Sequence, residues 1–201
     1  MCAGARATGV DLTDEGVSLT RERLALEGIA DRAEVGRADA EALPFADASF
    51  DIVYSWGVLH HTPDTERAFR EARRVLTLGG QFRGMIYHTP SWVGLGKWAI
   101  HYAARGRQAV SLRRAVYETL ESPGTKAYTL REARMLVEGA GFRDVRVRSQ
   151  LSHGDLLMMR RSAKYTSGVA GLLWRMYPRW LVKRLGNGLG TGLLIEATAG
   201  H

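Results

Sequence analysis

The chemistry in this sequence gathers at a few polar residues spaced along its first 88 positions. Asp11 closes the apolar stretch ATGVD, and Asp39 follows the stretch AEVGR after one intervening helix-like segment. An acid at the tip of a strand in an open α/β sheet sits where ligands bind, at the carboxyl ends of the strands. At that place the Asp11 carboxylate could accept hydrogen bonds from both hydroxyls of a ribose. Asp39, one βα unit later on the same sheet edge, could accept from the amino group of an adenine. Each could equally be a helix cap or a solvated loop acid. The third feature is FDIVYSWGVLHHTPD at 50–64, with adjacent histidines His60 and His61 just past a strand end. A histidine there could act as a base, because imidazole titrates near neutral pH. A metal site is not expected: neighbouring histidines point in different directions, and no third ligand has suitable spacing. The fourth is Tyr87–His88, at the end of another strand.

These residues need elements that aim them. Ala7–Asp11 reads as the end of a buried strand, and Thr13–Glu27 as a helix that Thr13 can cap and Gly28 ends. Ala33–Gly36, Phe50–Ser55 and Gln81–Tyr87 read as further strands. Thr65–Val75 has apolar residues at helical spacing, with Gly79–Gly80 as its stop. Strands separated by helices predict a parallel sheet with helices on both faces. The second half differs. Ser91–Leu120 reads mainly as helix, and Ser122–Lys126 as a turn. Thr129–Ala140 reads as a helix with a capping box at Thr129 and Glu132. Phe142–Ser149 and Leu193–Ala197 read as strands, and Leu172–Leu185 is aromatic and basic. The expected organisation is one α/β domain over 1–201: a cofactor half at 1–88, a helical insertion or lid at 89–127, and the rest of the sheet at 128–201.

Composition sets the outer bounds. The chain has 201 residues, 45% apolar and 24% charged, which fits one globular domain. A single cysteine, Cys2, excludes an internal disulfide framework. No apolar run reaches the ~18 residues that span a bilayer, and the first residues lack a signal-peptide pattern, so a cytoplasmic protein is expected. The net charge of +7 is uneven: residues 1–88 carry −4 and residues 89–201 carry +11. Arginines dominate the basic half and would suit an acidic acceptor, with Arg105, Arg107, Arg113 and Arg114 in the helical insertion. No recognised module supports a nucleic-acid partner.

Taken together, GVDLT at 9–13, RADAEALPFADASFDIVYSWGVLHHTPD at 37–64 and REARRVLTLGGQF at 70–82 resemble the class I S-adenosylmethionine-dependent methyltransferases. The likeness is to their type 11, ubiquinone/menaquinone-pathway-like branch. It implies a Rossmann-like sheet, S-adenosylmethionine as cofactor and a small-molecule acceptor, acidic or lipid-like. It further implies that Asp11 and Leu12 meet the ribose, and Ala38, Asp39 and Ala40 the adenine. Ser55, Trp56 and Leu59 would line the cofactor pocket. His60 or His61 would serve as base, and Tyr87 and His88 would face the acceptor. The basic aromatic stretch near 172–185 could touch a membrane peripherally or pack as a helix pair.

One part of the family pattern is missing. Its first strand ends in a glycine-rich loop, and only ten residues precede Asp11. The late GNGLG at 186–190 leads into a strand rather than out of one, which is the wrong context for a cofactor loop. The expectation is therefore an N-terminally incomplete methyltransferase that binds its cofactor weakly or not at all. Two neighbouring strands would each keep an unpaired edge. The alternatives are a non-catalytic α/β binding module acting through its basic surface, and a nicotinamide-dependent oxidoreductase.

Overall fold

The computed structural model describes residues 4–120, 124–158 and 177–200. Six strands form two separate sheets. β1 (Ala7–Asp11) and β2 (Ala33–Arg37) pair in parallel, Gly9 opposite Val35. β3 (Phe50–Trp56), β4 (Leu76–Tyr87), β5 (Phe142–Gln150) and β6 (Gly192–Ala199) form the second sheet, in the order β3-β4-β6-β5. Among the described residues β1 ladders only to β2, and β3 only to β4.

The α/β reading holds, but the all-parallel sheet does not. β6 enters antiparallel between β4 and β5. The periodicity of a single strand does not fix its partner's direction, and β6 runs against both of its neighbours. α2 (Thr65–Arg74) packs on β4, α5 (Leu130–Gly139) on β5 and β6, and the two helices touch each other, so both cover one face. On the opposite face Ile52, Tyr54 and Trp56 of β3 stand exposed.

Residue type explains the covered face. Along β4 the side chains alternate, with Phe82 and Ile86 buried and Gln81 and Arg83 exposed. Phe82 lies at the centre of a ring series, with Phe69 of α2 and Phe142 of β5 each 5.4 Å away. Leu76, Val137, Leu193 and Ile195 complete this core. Thr129 caps α5 in the expected box with Glu132.

Gly79–Gly80 was expected to separate helix from strand. Instead the pair lies inside β4, where the register jumps: Phe50 faces Leu76, but Ile52 faces Gln81. Gly79 has φ +78°, which lets the strand absorb the extra residues as a bulge. The helical reading of 91–120 resolves into α3 (Trp92–His101) and α4 (Leu112–Thr119), packed on each other. α6 (Arg179–Leu185) precedes the turn at GNGLG, which runs into β6 as expected. Residues 172–176 of the basic aromatic stretch lie outside the described residues. No helix among the described residues is long and apolar enough to cross a membrane.

The β1–β2 unit is built differently. α1 (Asp14–Leu26) is capped by Thr13, whose hydroxyl accepts from Gly16 N at 3.0 Å. Arg21 donates to the Val35 carbonyl at 2.5 Å, and Arg37 to the Leu12 carbonyl at 3.0 Å. Val17 is the buried apolar residue of α1; Leu19 and Leu26 are exposed.

Candidate functional site

The nucleoside-facing candidates converge at the carboxyl ends of β1 and β2. The Asp11 backbone carbonyl accepts from Ala38 N at 2.9 Å, which fixes the Ala38–Asp39–Ala40 segment beside Asp11. The Asp11 carboxylate accepts from Thr13 N at 2.8 Å and Thr13 Oγ1 at 2.7 Å. Those bonds hold its pKa below the usual carboxylate value. Asp39 Oδ1 accepts from Glu41 N at 2.9 Å, closing a tight turn. Leu12 is exposed, and Ala40 packs against the main core.

Gly16, read from the sequence only as a weak start to α1, lies directly against the Asp11 carboxylate. A Cβ there would lie 2.4 Å from the Asp11 carboxyl carbon. The glycine therefore makes the room that the carboxylate occupies. A glycine in the first turn of an otherwise good helix was the available signal.

The loop from β2 to β3 is tied down by α2. Arg74 donates to the carbonyls of Leu43 and Phe45 and pairs with Glu71 and Asp47. Leu43 N donates to Glu71, whose carboxyl sits below its usual range chiefly through Arg74. Glu41 reaches further, accepting from Asp64 N at 2.6 Å just past the two histidines. One hydrogen-bonded chain thus links the segment at Asp39 to that at His61.

A second cluster forms at the ends of β3 and β4. Trp56 is half exposed and stacks on Tyr54, ring centres 6.0 Å apart and 9° from parallel. Ser55 is half-buried, and its carbonyl would lie 3.0 Å from a Cβ placed on Gly84. Leu59 is buried in the main core. His60 is fully buried between His61 and Tyr87, with ring centres 4.2 and 4.3 Å away. Neither His60 ring nitrogen has a hydrogen-bond partner. Burial pushes its pKa down to about 3, helped by the charges of His61 and Lys126. His60 is thus a neutral imidazole at any ordinary pH, while His61 is exposed. Lys126, also missed from sequence, donates to the carbonyls of Thr62 and Pro63 at 2.6 and 2.7 Å and clamps this loop.

Tyr87 and His88 part company, as successive strand residues do. Tyr87 lies against His60 and the helical segment. His88 is buried, and its Nδ1 lies 2.8 Å from the Gly190 carbonyl. Its pKa is lowered by burial, partly offset by that bond and by Asp155. The arginines foreseen for an acidic acceptor are engaged elsewhere: Arg113 with Glu132 at 2.7 Å and Arg114 with Glu118 at 2.7 Å. Among the described residues no group of three or more His, Cys, Asp or Glu side chains could hold a metal ion.

The family described as a methyltransferase domain matches residues 1–83. The 27-O-demethylrifamycin SV methyltransferase of Amycolatopsis mediterranei is 32% identical over 61% of this chain and 49% of its own. The ubiquinone/menaquinone biosynthesis C-methyltransferase UbiE of Brucella anthropi is 31% identical over 72% of this chain and 57% of its own. The chain thus spans about half the length of these curated relatives. Among solved structures, a putative methyltransferase complexed with the Trm112 activator of Haloferax volcanii has a TM-score of 0.65 at 21% identity. That match covers 98% of this chain and 73% of that one. By sequence the chain matches a methyltransferase domain over residues 1–83, and by fold it is similar to a solved putative methyltransferase over nearly its full length. Its relatives include UbiE-type enzymes.

Proposed function

We propose that this chain carries the nucleoside-binding and acceptor-facing parts of an S-adenosylmethionine-dependent methyl-transfer site, acting on a small-molecule acceptor. The observation that carries the reading is the joint placement of Asp11 and Asp39 by the Ala38 N to Asp11 O bond, over the space left by Gly16. This arrangement fits the nucleoside end of the cofactor. Asp11, ionised and anchored by Thr13, would hold the ribose hydroxyls, with Leu12 beside it. Asp39 would accept from the adenine amino group, flanked by Ala38 and Ala40. Ser55, Trp56 and Leu59 would border the pocket at the end of β3, with Trp56 offering an aromatic face to stack on.

When bound, the cofactor supplies a methyl group already activated on a sulfonium. The work left to the protein is to align the acceptor behind that carbon and exclude water. Of Tyr87 and His88, both named from the sequence for the acceptor, Tyr87 would border it beside His60, while His88 points the other way, its Nδ1 to Gly190. His60 and His61 are the bases named from the sequence. Of these, sealed and unpartnered His60 suits shaping the pocket wall, and His61 is the exposed one of the pair. α3 and α4 would form the lid, latched to the histidine loop through Lys126. The names of two relatives, a 27-O-demethylrifamycin SV methyltransferase and a phthiotriol/phenolphthiotriol dimycocerosates methyltransferase, favour a hydroxyl-bearing, lipid-like or polycyclic acceptor.

Isothermal calorimetry with S-adenosylmethionine tests the reading. The expected result is weak binding that Asp11→Ala removes. Binding of unchanged affinity in Asp11→Ala would take Asp11 out of the site and overturn the proposal.

A further inference from the structure

A buried carboxylate that no functional reading has used controls the geometry at His88. Asp155 is 1% exposed and saturated by four donors. Its Oδ2 accepts from Ser152 N at 2.8 Å, Ser152 Oγ at 2.9 Å and Thr191 N at 2.9 Å. Its Oδ1 accepts from Thr191 Oγ1 at 2.5 Å. The carboxylate therefore fixes the Gly190–Thr191 segment, which leads into β6. That segment in turn grips His88 twice. His88 N donates to the Thr191 carbonyl at 2.8 Å, and His88 Nδ1 meets the Gly190 carbonyl at 2.8 Å. Gly190 is held from behind as well, since a Cβ there would lie 2.1 Å from the Gln150 backbone.

The chemistry of the second contact is one-sided. A carbonyl oxygen only accepts, so His88 Nδ1 must carry the proton. In the neutral ring the lone pair then lies on Nε2. That atom makes no hydrogen bond within the described residues, in a side chain that is 3% exposed. It stands at the carboxyl end of β4, the end of the sheet where ligands bind.

We infer that His88 Nε2 is the proton acceptor for a hydroxyl or N–H acceptor, and that Asp155 is the positioning residue that sets its tautomer through Thr191 and Gly190. The inference rests on the methyl-transfer reading. In that reaction His88 Nε2 takes the acceptor's proton as the acceptor oxygen bonds to the methyl carbon, and the departing sulfur keeps the C–S electron pair. The arrangement also ranks the histidines. His60 has no orienting partner, whereas His88 has a carbonyl on one nitrogen and a lone pair without a hydrogen bond among the described residues on the other.

The test reads the tautomer directly. In the full chain labelled with ¹⁵N-histidine, two-bond ¹H–¹⁵N correlation spectra at neutral pH are expected to show His88 with a protonated Nδ1 and an unprotonated Nε2. Asp155→Asn should move it toward a mixture of tautomers. It should also slow carbethoxylation of His88 by diethylpyrocarbonate, because a mixture of tautomers leaves the lone pair on Nε2 for less of the time. If Asp155→Asn does not fold, Thr191→Val removes one bond to the carboxylate and should shift the same signals in the same direction. A wild-type His88 protonated at Nε2 would overturn the base assignment. A tautomer unchanged in Asp155→Asn, or in Thr191→Val where that variant is used, would overturn the role of Asp155. Titration of the same sample with S-adenosylhomocysteine separates the two failures. A fixed tautomer without nucleoside binding overturns the methyl-transfer reading, and nucleoside binding with a mobile tautomer overturns the His88 assignment.

Discussion

The β1–α1–β2 unit and the four-stranded sheet share a sequence pattern but not a core. In the sheet, sixteen buried residues form one cluster beneath α2 and α5. In the smaller unit, Val17 of α1 is buried while Leu19, Leu26 and Val10 are exposed. Yet the smaller unit carries both acids proposed to hold the nucleoside. Its order comes from polar ties: Arg21 to Val35, Arg37 to Leu12 and Asp14, and Ala38 to Asp11. Buried apolar area and the proposed ligand contact thus lie in different places, with hydrophobic burial ordering the first region and directed hydrogen bonds the second.

The largest test of this division is Phe82→Ala. Phe82 is 1% exposed between Phe69 and Phe142, so the change should cost about 3–5 kcal/mol. Denaturant unfolding followed by tryptophan fluorescence would measure it. A loss below 1 kcal/mol would mean that the sheet core is not what holds the fold.

The second test uses acid. His60 has a folded pKa of about 3, below its unfolded value of 6.5. The unfolded chain therefore binds the proton first. Stability from keeping His60 neutral is full above pH 6.5 and is lost as pH falls from there toward 3, at up to roughly 1.4 kcal/mol per pH unit. Buried His88 acts in the same sense. Chemical denaturation at pH 7 and pH 5 should show the loss in the wild type and a flatter profile in His60→Asn. An unchanged slope in His60→Asn would assign the acid sensitivity elsewhere.

Much of the larger sheet was readable in advance because its signals are strong and local. The capping box at Thr129–Glu132 and the alternation in Phe142–Ser149 each gave an element within a residue or two of where it lies. The antiparallel entry of β6 was not readable, since one strand's periodicity says nothing about its partner's direction. The glycine pair at 79–80 misled for a related reason: the same residues serve a helix stop or a bulge, and the register with β3 decides. In the candidate site, Asp11 and Asp39 stood out as acids at strand ends. Gly16, Lys126 and Asp155 did not, because each acts on a neighbour distant in sequence or on a space that only the fold creates.

Gly16→Ala sharpens the comparison by separating the two properties within one residue. Alanine favours an α-helix over glycine by up to about 1 kcal/mol, so stability should hold or rise slightly. The added Cβ would meet the Asp11 carboxylate and force it off Thr13. Calorimetry should therefore show weakened nucleoside binding alongside unchanged or raised thermal stability. Loss of both together would mean that Gly16 serves the fold rather than the carboxylate.

The smallest expected effect is at Leu26. In an ordinary amphipathic helix the last leucine packs inward, and cutting it to a polar residue would cost 2 kcal/mol or more. Here Leu26 is 79% exposed at the end of α1, so Leu26→Ser removes almost no buried surface. The expected change is within about 0.5 kcal/mol by denaturant unfolding. A larger loss would show that this face of α1 is covered in solution. The coreless unit would then owe its order to a packing partner rather than to the arginine–carbonyl ties that hold β1, α1 and β2 together.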